Sequence, residues 1–281
     1  MSARLRAIAQ ETEEIVAAGA YRRADGRQVS LSARIEAARA GTRMIGPDPI
    51  PSPPDLSAAP AGRAAMLIEV TRESSLEAAR RLAAEPVAVL NFASARNPGG
   101  GYLNGAQAQE EALCRASALY TCLAGAREFY DHHRAHRDPF YTDRVIHAPA
   151  VPVFRDDRAR LLDEPYDVGF LTAAAPNAGV VLRTAPERAA DLPHALAVRA
   201  ERVLEAAAAH GYRRLVLGAW GCGVFRNDPA QVAEAFRGLL GPRGRFEETF
   251  AHVVFGILDR TRGQTVRVAF DRAFAQPQLQ P

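Results

Sequence analysis

The chain predicts an α/β fold in which helices cover a largely parallel or mixed sheet. Three observations carry this. Over residues 66–260, short apolar runs alternate with segments of helical periodicity, the pattern of strand–helix–strand units. The run VAVLNFA (87–93) is almost continuously apolar, as a strand buried on both faces must be. The composition is that of a globular protein, 48% hydrophobic and 24% charged over 281 residues, enough to bury a core without a disulfide or metal staple.

The elements follow in order. Leu5, Ile8, Ile15 and Val16 recur near the 3.6-residue period and predict a helix over 1–18, stopped at Gly19. Residues 28–40 read as a strand followed by a helical turn. Residues 46–62 hold six prolines, which excludes regular helix and central strand and suits either a linker or a wrap across a domain surface. We therefore divide the chain into an N-terminal helical and proline-rich accessory segment, 1–62, and a main domain, 63–281. In the main domain, strands are expected at 66–70, 87–93, 144–154, 167–175, 213–219 and 252–258. Helices are expected at 74–84 behind a Ser74 or Ser75 cap, at about 108–126, at 195–211 and at 229–241 behind Asp228 and Pro229, with a closing helix at 264–275.

Composition excludes several classes. All 35 basic residues are Arg and Lys is absent, which rules out a Walker-type NTPase and a Schiff-base enzyme. The net charge is only +3, and residues 1–60 mix eight Arg with seven acids, so no polybasic arm for direct DNA binding is expected. Cys114, Cys122 and Cys222 lack CxxC spacing, and neither a disulfide framework nor a cysteine zinc site is supported. The opening MSARLRAIAQETEEIV has no apolar core of signal-peptide length, and no apolar stretch reaches membrane-spanning length. A reducing, cytoplasmic protein is expected.

In α/β sheets, ligands bind beyond the carboxyl ends of strands. Two loops stand there. The first is NFASARNPGGGYLNGAQAQEE, 91–111, where Gly99, Gly100 and Gly101 remove every side chain, so that backbone N–H groups can approach a ligand. The second is GAWGCGVFRND, 218–228, where Gly221 and Gly223 flank Cys222 ahead of a helix start, a second candidate anion cradle with Phe225 beside it. The plainer alternative makes Trp220 and Phe225 both core residues, although aromatics beside a Gly-Cys-Gly turn are less often so. Glu110 and Glu111 open the helix after the first loop. Neighbours on a helix project about 100° apart, so they suit two separate tasks, one anchoring hydroxyls and one moving a proton. The helix dipole lowers both pKa values, whereas like charge and desolvation raise one, and sequence alone sets no winner.

GGG, seven residues, then QEE is a specific arrangement, and with NFASARNPGGG before it the chain resembles the bacterial type of poly(ADP-ribose) glycohydrolase over roughly 66–260. The resemblance implies a macrodomain fold, three α/β/α layers about a mixed sheet, with residues 1–62 as an accessory segment. It implies hydrolysis of the ribose–ribose O-glycosidic bond of poly(ADP-ribose), mainly exo, with ADP-ribose as product. Glu111 would then be the general acid and base, and Glu110 would hold ribose hydroxyls. Gly99, Gly100 and Gly101 would wrap the terminal ribose, and Gln109 joins them on the substrate-binding side. Gly221, Cys222, Gly223 and Val224 would form the diphosphate loop, and Phe225 would orient the terminal ribose. Many macrodomains carry Asn where this chain has Ser94; Asn97 is the substitute candidate for aligning the ribose. A monomer acting on the polymer or on ADP-ribosylated protein, with no cofactor, no metal and no membrane, is expected.

A reader that binds ADP-ribose without cleaving it has no need of the Glu pair. A nucleotide-dependent oxidoreductase lacks its GxGxxG fingerprint. His132 and His136 have the i,i+4 spacing of metal ligands, but with no HExxH a polar helix end is the simpler account. Asn177, at another strand end, reads as a turn residue.

Overall fold

A computed structural model describes residues 2–51 and 65–275. The proline-rich stretch from 52, together with the expected boundary at 62/63, lies outside the described residues. In order come α1 (Ala3–Ala18), β1 (Ala20–Arg22), β2 (Gln28–Ser30), α2 (Ser32–Gly41), β3 (Arg43–Ile45), β4 (Leu67–Thr71), α3 (Ser75–Leu82), β5 (Val87–Phe92), α4 (Gln109–Ala116), α5 (Leu119–Gly125), α6 (Arg127–Ala135), β6 (Val145–Arg155) and β7 (Leu161–Ala173). They are followed by α7 (Ala178–Thr184), α8 (Leu192–Ala209), β8 (Arg214–Leu217), α9 (Pro229–Leu240), β9 (His252–Gly256) and α10 (Thr265–Ala273).

Local chemistry accounts for many of the boundaries. Gly19 ends α1 in the left-handed region at φ 65°. Ser74 and Glu77 form a reciprocal capping box at the start of α3. Asp228 accepts from the Ala230 N–H and Pro229 occupies the first turn of α9. Asn177 caps α7 by accepting from the Val180 N–H.

The main sheet has seven strands in the order β3-β6-β7-β5-β8-β9-β4. β7, β5, β8, β9 and β4 run parallel to one another, while β6 is antiparallel to both β7 and β3. The pleat of β5 divides the core. Val87 and Val89 join one apolar cluster with α1 to α6, and Ala88 and Leu90 join a second with α8, α9 and α10. These are the three layers the resemblance implied. Ala9, Ile15, Ile35 and Ala38, from the segment before the expected boundary, join the first cluster, and β3 extends the sheet at its edge.

Two expectations need correction. The helix expected over 108–126 is broken between α4 and α5. Ser117 is extended (φ −145°), forms a bridge with Val153, and is followed by an Ala118 N–H bonded to Pro152 O at 3.1 Å. Pairing with β6 outweighs the local helical pattern there. The strand expected at 167–175 starts earlier, at Leu161, because β6 supplies an antiparallel partner as far as Arg155.

Candidate active site

Because β5, β8, β9 and β4 run parallel, the loops that follow them emerge on one edge of the sheet. They surround an open cavity of about 1390 Å³. It is lined by Asn97, Pro98, Gly100 and Gly101 of the first bend, by the start of α4, by 219–225 after β8 and by 256–261 after β9. Asn97, Gly100, Gly101, Gln109, Glu110, Glu111, Gly221, Cys222, Gly223, Val224 and Phe225 all line it. Gly99 does not. It is buried behind the bend, where an added Cβ would stand 2.9 Å from the Tyr120 ring and 3.3 Å from Cys114 Sγ.

Gly99 and Gly100 hold φ of 66° and 60°, a turn that side chains other than glycine resist. The turn lets both acids reach one point. A Cβ on Gly100 would lie 2.6 Å from Glu111 Oε1 and 3.0 Å from Glu110 Oε2. The two carboxyl groups therefore converge on the bend despite their angular separation along α4. The Gly101 N–H donates to Glu111 Oε1 at 2.9 Å, and the Gly100 N–H donates to Asn97 O at 2.9 Å. Two of the bend's donors are thus engaged within the protein.

Glu110 is 3% exposed, and its Oε2 accepts from the Ser94 N–H at 2.7 Å while Oε1 accepts from Asn91 Nδ2 at 3.3 Å. Burial pushes its carboxyl up to about 8, against the lowering effect of the Ser94 donor, with the Glu111 charge raising it further. Desolvation thus outweighs the donors at the head of α4 for Glu110. Glu111 is 8% exposed; its Oε2 is buried and has no hydrogen-bond partner. Gln109 is tied into the fold. Its amide accepts from the Phe92 N–H and donates to Leu90 O and Ser75 Oγ, seating α4 against β5 and α3.

In the second loop, Gly221 has φ 71°, and an added Cβ would meet Asn227 Nδ2 at 2.5 Å and Ala175 Cβ at 2.6 Å. Among the described residues, the N–H groups of Gly223, Val224 and Phe225 donate to no protein acceptor. Val224 is 83% exposed. The Phe225 ring leans on Tyr141 with centroids 5.8 Å apart. Burial pushes the Cys222 thiol up to about 12. Trp220 is a core residue, 1% exposed, with its indole N–H on Ala173 O.

Three contributors escaped the sequence reading. Asn91 sits inside an apolar strand run, yet its amide bridges Glu110 and Thr172. Asn227 is 3% exposed and fastens the second loop to Pro176 O and Gly221 O. The segment 256–261 could have been found by applying the strand-end rule to β9. His132 and His136 stack with centroids 4.1 Å apart, and among the described residues no group of three or more His, Cys, Asp or Glu is placed to hold a metal. No described helix is long and apolar enough to cross a membrane.

The family model described as "Microbial-type PARG, catalytic domain" matches residues 9–156. Poly(ADP-ribose) glycohydrolase (PARG) from Thermomonospora curvata is 49% identical over 97% of this chain and 100% of that one, with a TM-score of 0.88. The same enzyme bound to the inhibitor ADP-HPD gives 50% identity, coverage of 97% and 100%, and a TM-score of 0.87. PARG from Deinococcus radiodurans in complex with ADP-ribose is 45% identical, covering 87% of this chain and 98% of that one, with a TM-score of 0.76. No curated protein matches. A three-layer α/β glycosidase is the class that this fold, with its carboxylate cleft and these likenesses, defines. Within that class the chain belongs to the microbial-type poly(ADP-ribose) glycohydrolase family.

Proposed function

We propose that this chain hydrolyses the ribose–ribose O-glycosidic bond of poly(ADP-ribose), mainly from the polymer end, and releases ADP-ribose, with Glu111 as general acid and then base. The observation that carries the assignment is the state of the Glu111 carboxyl. One oxygen is anchored on the Gly101 N–H, and the other is buried, unpartnered and part of a residue that lines the cavity. An anchored carboxyl with one free oxygen is oriented to hand a proton to the leaving ribose oxygen and then to take one from water.

The other residues take complementary roles. Glu110, held by Asn91 and the Ser94 N–H and carrying a proton up to about pH 8, anchors a ribose hydroxyl by donating to it. Gly100 and Gly101 let the sugar approach the backbone. Gly99 shapes the bend from behind, and Gln109 seats α4. The free N–H groups of Gly223 to Phe225, with Gly221 and Cys222 shaping the turn, receive the diphosphate, whose charge helps to offset the oxocarbenium-like transition state. Phe225 orients the terminal ribose, and Asn97, exposed at the cavity rim, aligns it from the other side. These roles call on no metal or redox cofactor. The partner is the polymer or an ADP-ribosylated protein rather than DNA, met by a single copy of the chain in the cytoplasm.

The test is release of ADP-ribose from purified polymer by wild type and by Glu111→Gln. A fall of roughly 10²–10⁴-fold in the variant, with ADP-ribose binding retained, is expected. Equal release by both defeats the role of Glu111. Binding without release by the wild type favours the reader.

A further inference from the structure

The accessory helix α1 touches the catalytic bend through a continuous stripe. Ser2, Arg6, Ala9 and Glu13 are spaced four, three and four residues apart, which places them on one face. That face meets the turn just after the glycines. The Ser2 N–H donates to Gly105 O at 3.1 Å. Gly105 has φ 75°, and a Cβ there would stand 2.4 Å from Ser2 O and 2.9 Å from Arg6 Cγ, so the approach of helix to turn requires glycine. Tyr102, 1% exposed, reaches α1 with its hydroxyl 3.1 Å from Ala9 O and 2.9 Å from Glu13 Oε1. Buried Thr12 donates to Arg115 O at 2.9 Å, and Arg115 Nη1 donates to Ala106 O at 2.8 Å.

These contacts close on the acid. The Tyr102 N–H donates to Gly99 O and the Ala106 N–H to Gly101 O, so both ends of the turn that α1 grips are bonded to the glycine bend. Between those two bonds lies the Gly101 N–H that anchors Glu111 Oε1. Tyr102 also packs on Tyr120, a cavity residue, with centroids 5.1 Å apart.

We propose that α1 is part of the active site's scaffold, with Tyr102 and Glu13 as positioning residues that hold the bend so that the Gly101 N–H keeps Glu111 aimed at the substrate. The proposal rests on the hydrolase reading above. It gives the N-terminal segment a function: it sets the geometry of the acid without touching substrate. A misplacement of about 1 Å at a reacting group can cost on the order of 100-fold in rate, so a latch at this distance has leverage.

The experiment compares full-length wild type with Tyr102→Phe and Glu13→Ala, and uses Glu14→Ala, on the exposed side of α1, as control. Each is assayed for polymer hydrolysis well below its Tm, for ADP-ribose affinity, and for hydrogen exchange at the Gly101 amide. The expected result is a kcat lower by about 10- to 100-fold with KM and ADP-ribose affinity little changed. Gly101 exchange should be faster in both latch variants, with the control like wild type. Full kcat in both variants overturns the proposal, and so does a lower kcat with Gly101 exchange unchanged. If Tyr102→Phe fails to fold, Glu13→Ala decides. A wild type that releases no ADP-ribose defeats the hydrolase reading instead, while the exchange measurement still tests the latch.

Discussion

The backbone N–H of Gly101 donates to Oε1 of Glu111 across 2.9 Å, so the side-chain-free bend and the first turn of α4 form one hydrogen-bonded unit. Gly100 makes room for two carboxyl groups at a point where any side chain would displace them.

Gly100→Ala tests that statement. Its φ of 60° alone makes alanine unfavourable by about 1–2 kcal/mol, and the new methyl would stand 2.6 Å from Glu111 Oε1. The expected outcome is a lower midpoint in denaturant unfolding together with a loss of polymer hydrolysis larger than the stability change explains. Wild-type hydrolysis in a folded Gly100→Ala protein would remove the bend from the catalytic account.

The second loop offers an internal contrast. Gly221→Ala combines positive φ with a clash on Asn227 and Ala175, and should destabilise by about 1–2 kcal/mol or more. At Gly223 nothing lies within 4 Å of an added Cβ, so Gly223→Ala should change stability by no more than about 0.5 kcal/mol. Paired urea titrations read the difference, and equal costs at the two positions would contradict the loop geometry.

Glu110 ties stability to pH. Burial raises its folded pKa to about 8, above the ordinary carboxylate value, so between those values the folded state binds the extra proton. Its contribution is fully present below about pH 4.5 and is lost as pH rises through 8. Urea unfolding from pH 5 to 9 should show wild-type stability declining relative to Glu110→Gln, which lacks the titrating group. Parallel curves for the two proteins would show that Glu110 is ionised in the folded state at neutral pH.

The thiols should be sluggish nucleophiles. Burial raises Cys222 to about 12 and Cys122 to about 11, and it raises Cys114 as well. Since the thiolate is the reactive form, alkylation followed by mass spectrometry at pH 7.5 should be slow at all three, Cys222 included although it lines the cavity. Rapid labelling of Cys222 in the native protein would show that its loop opens.

Local signals in the sequence determined a large part of this protein. Period and caps placed α1, α3, α8 and α9 within a few residues, because Gly19, Ser74 and Asp228 act on backbone groups close to them. The apolar runs placed the parallel strands, and the strand-end rule then singled out the two glycine loops that meet across one cavity. Tertiary structure alone decided the rest. Ser117 leaves the helix because Val153 pairs with it, a partner with no local signal. The three-residue strands β1 and β3 are too short for a period to show and exist through β2 and β6. Asn91 looks like an interruption in an apolar run until α4 brings Glu110 onto it. The proton affinity of Glu110 depends on burial contributed by distant parts of the chain. A residue's conformation is set mainly by its neighbours in sequence, whereas desolvation and side-chain convergence depend on which elements pack together, and that is decided only when the chain folds.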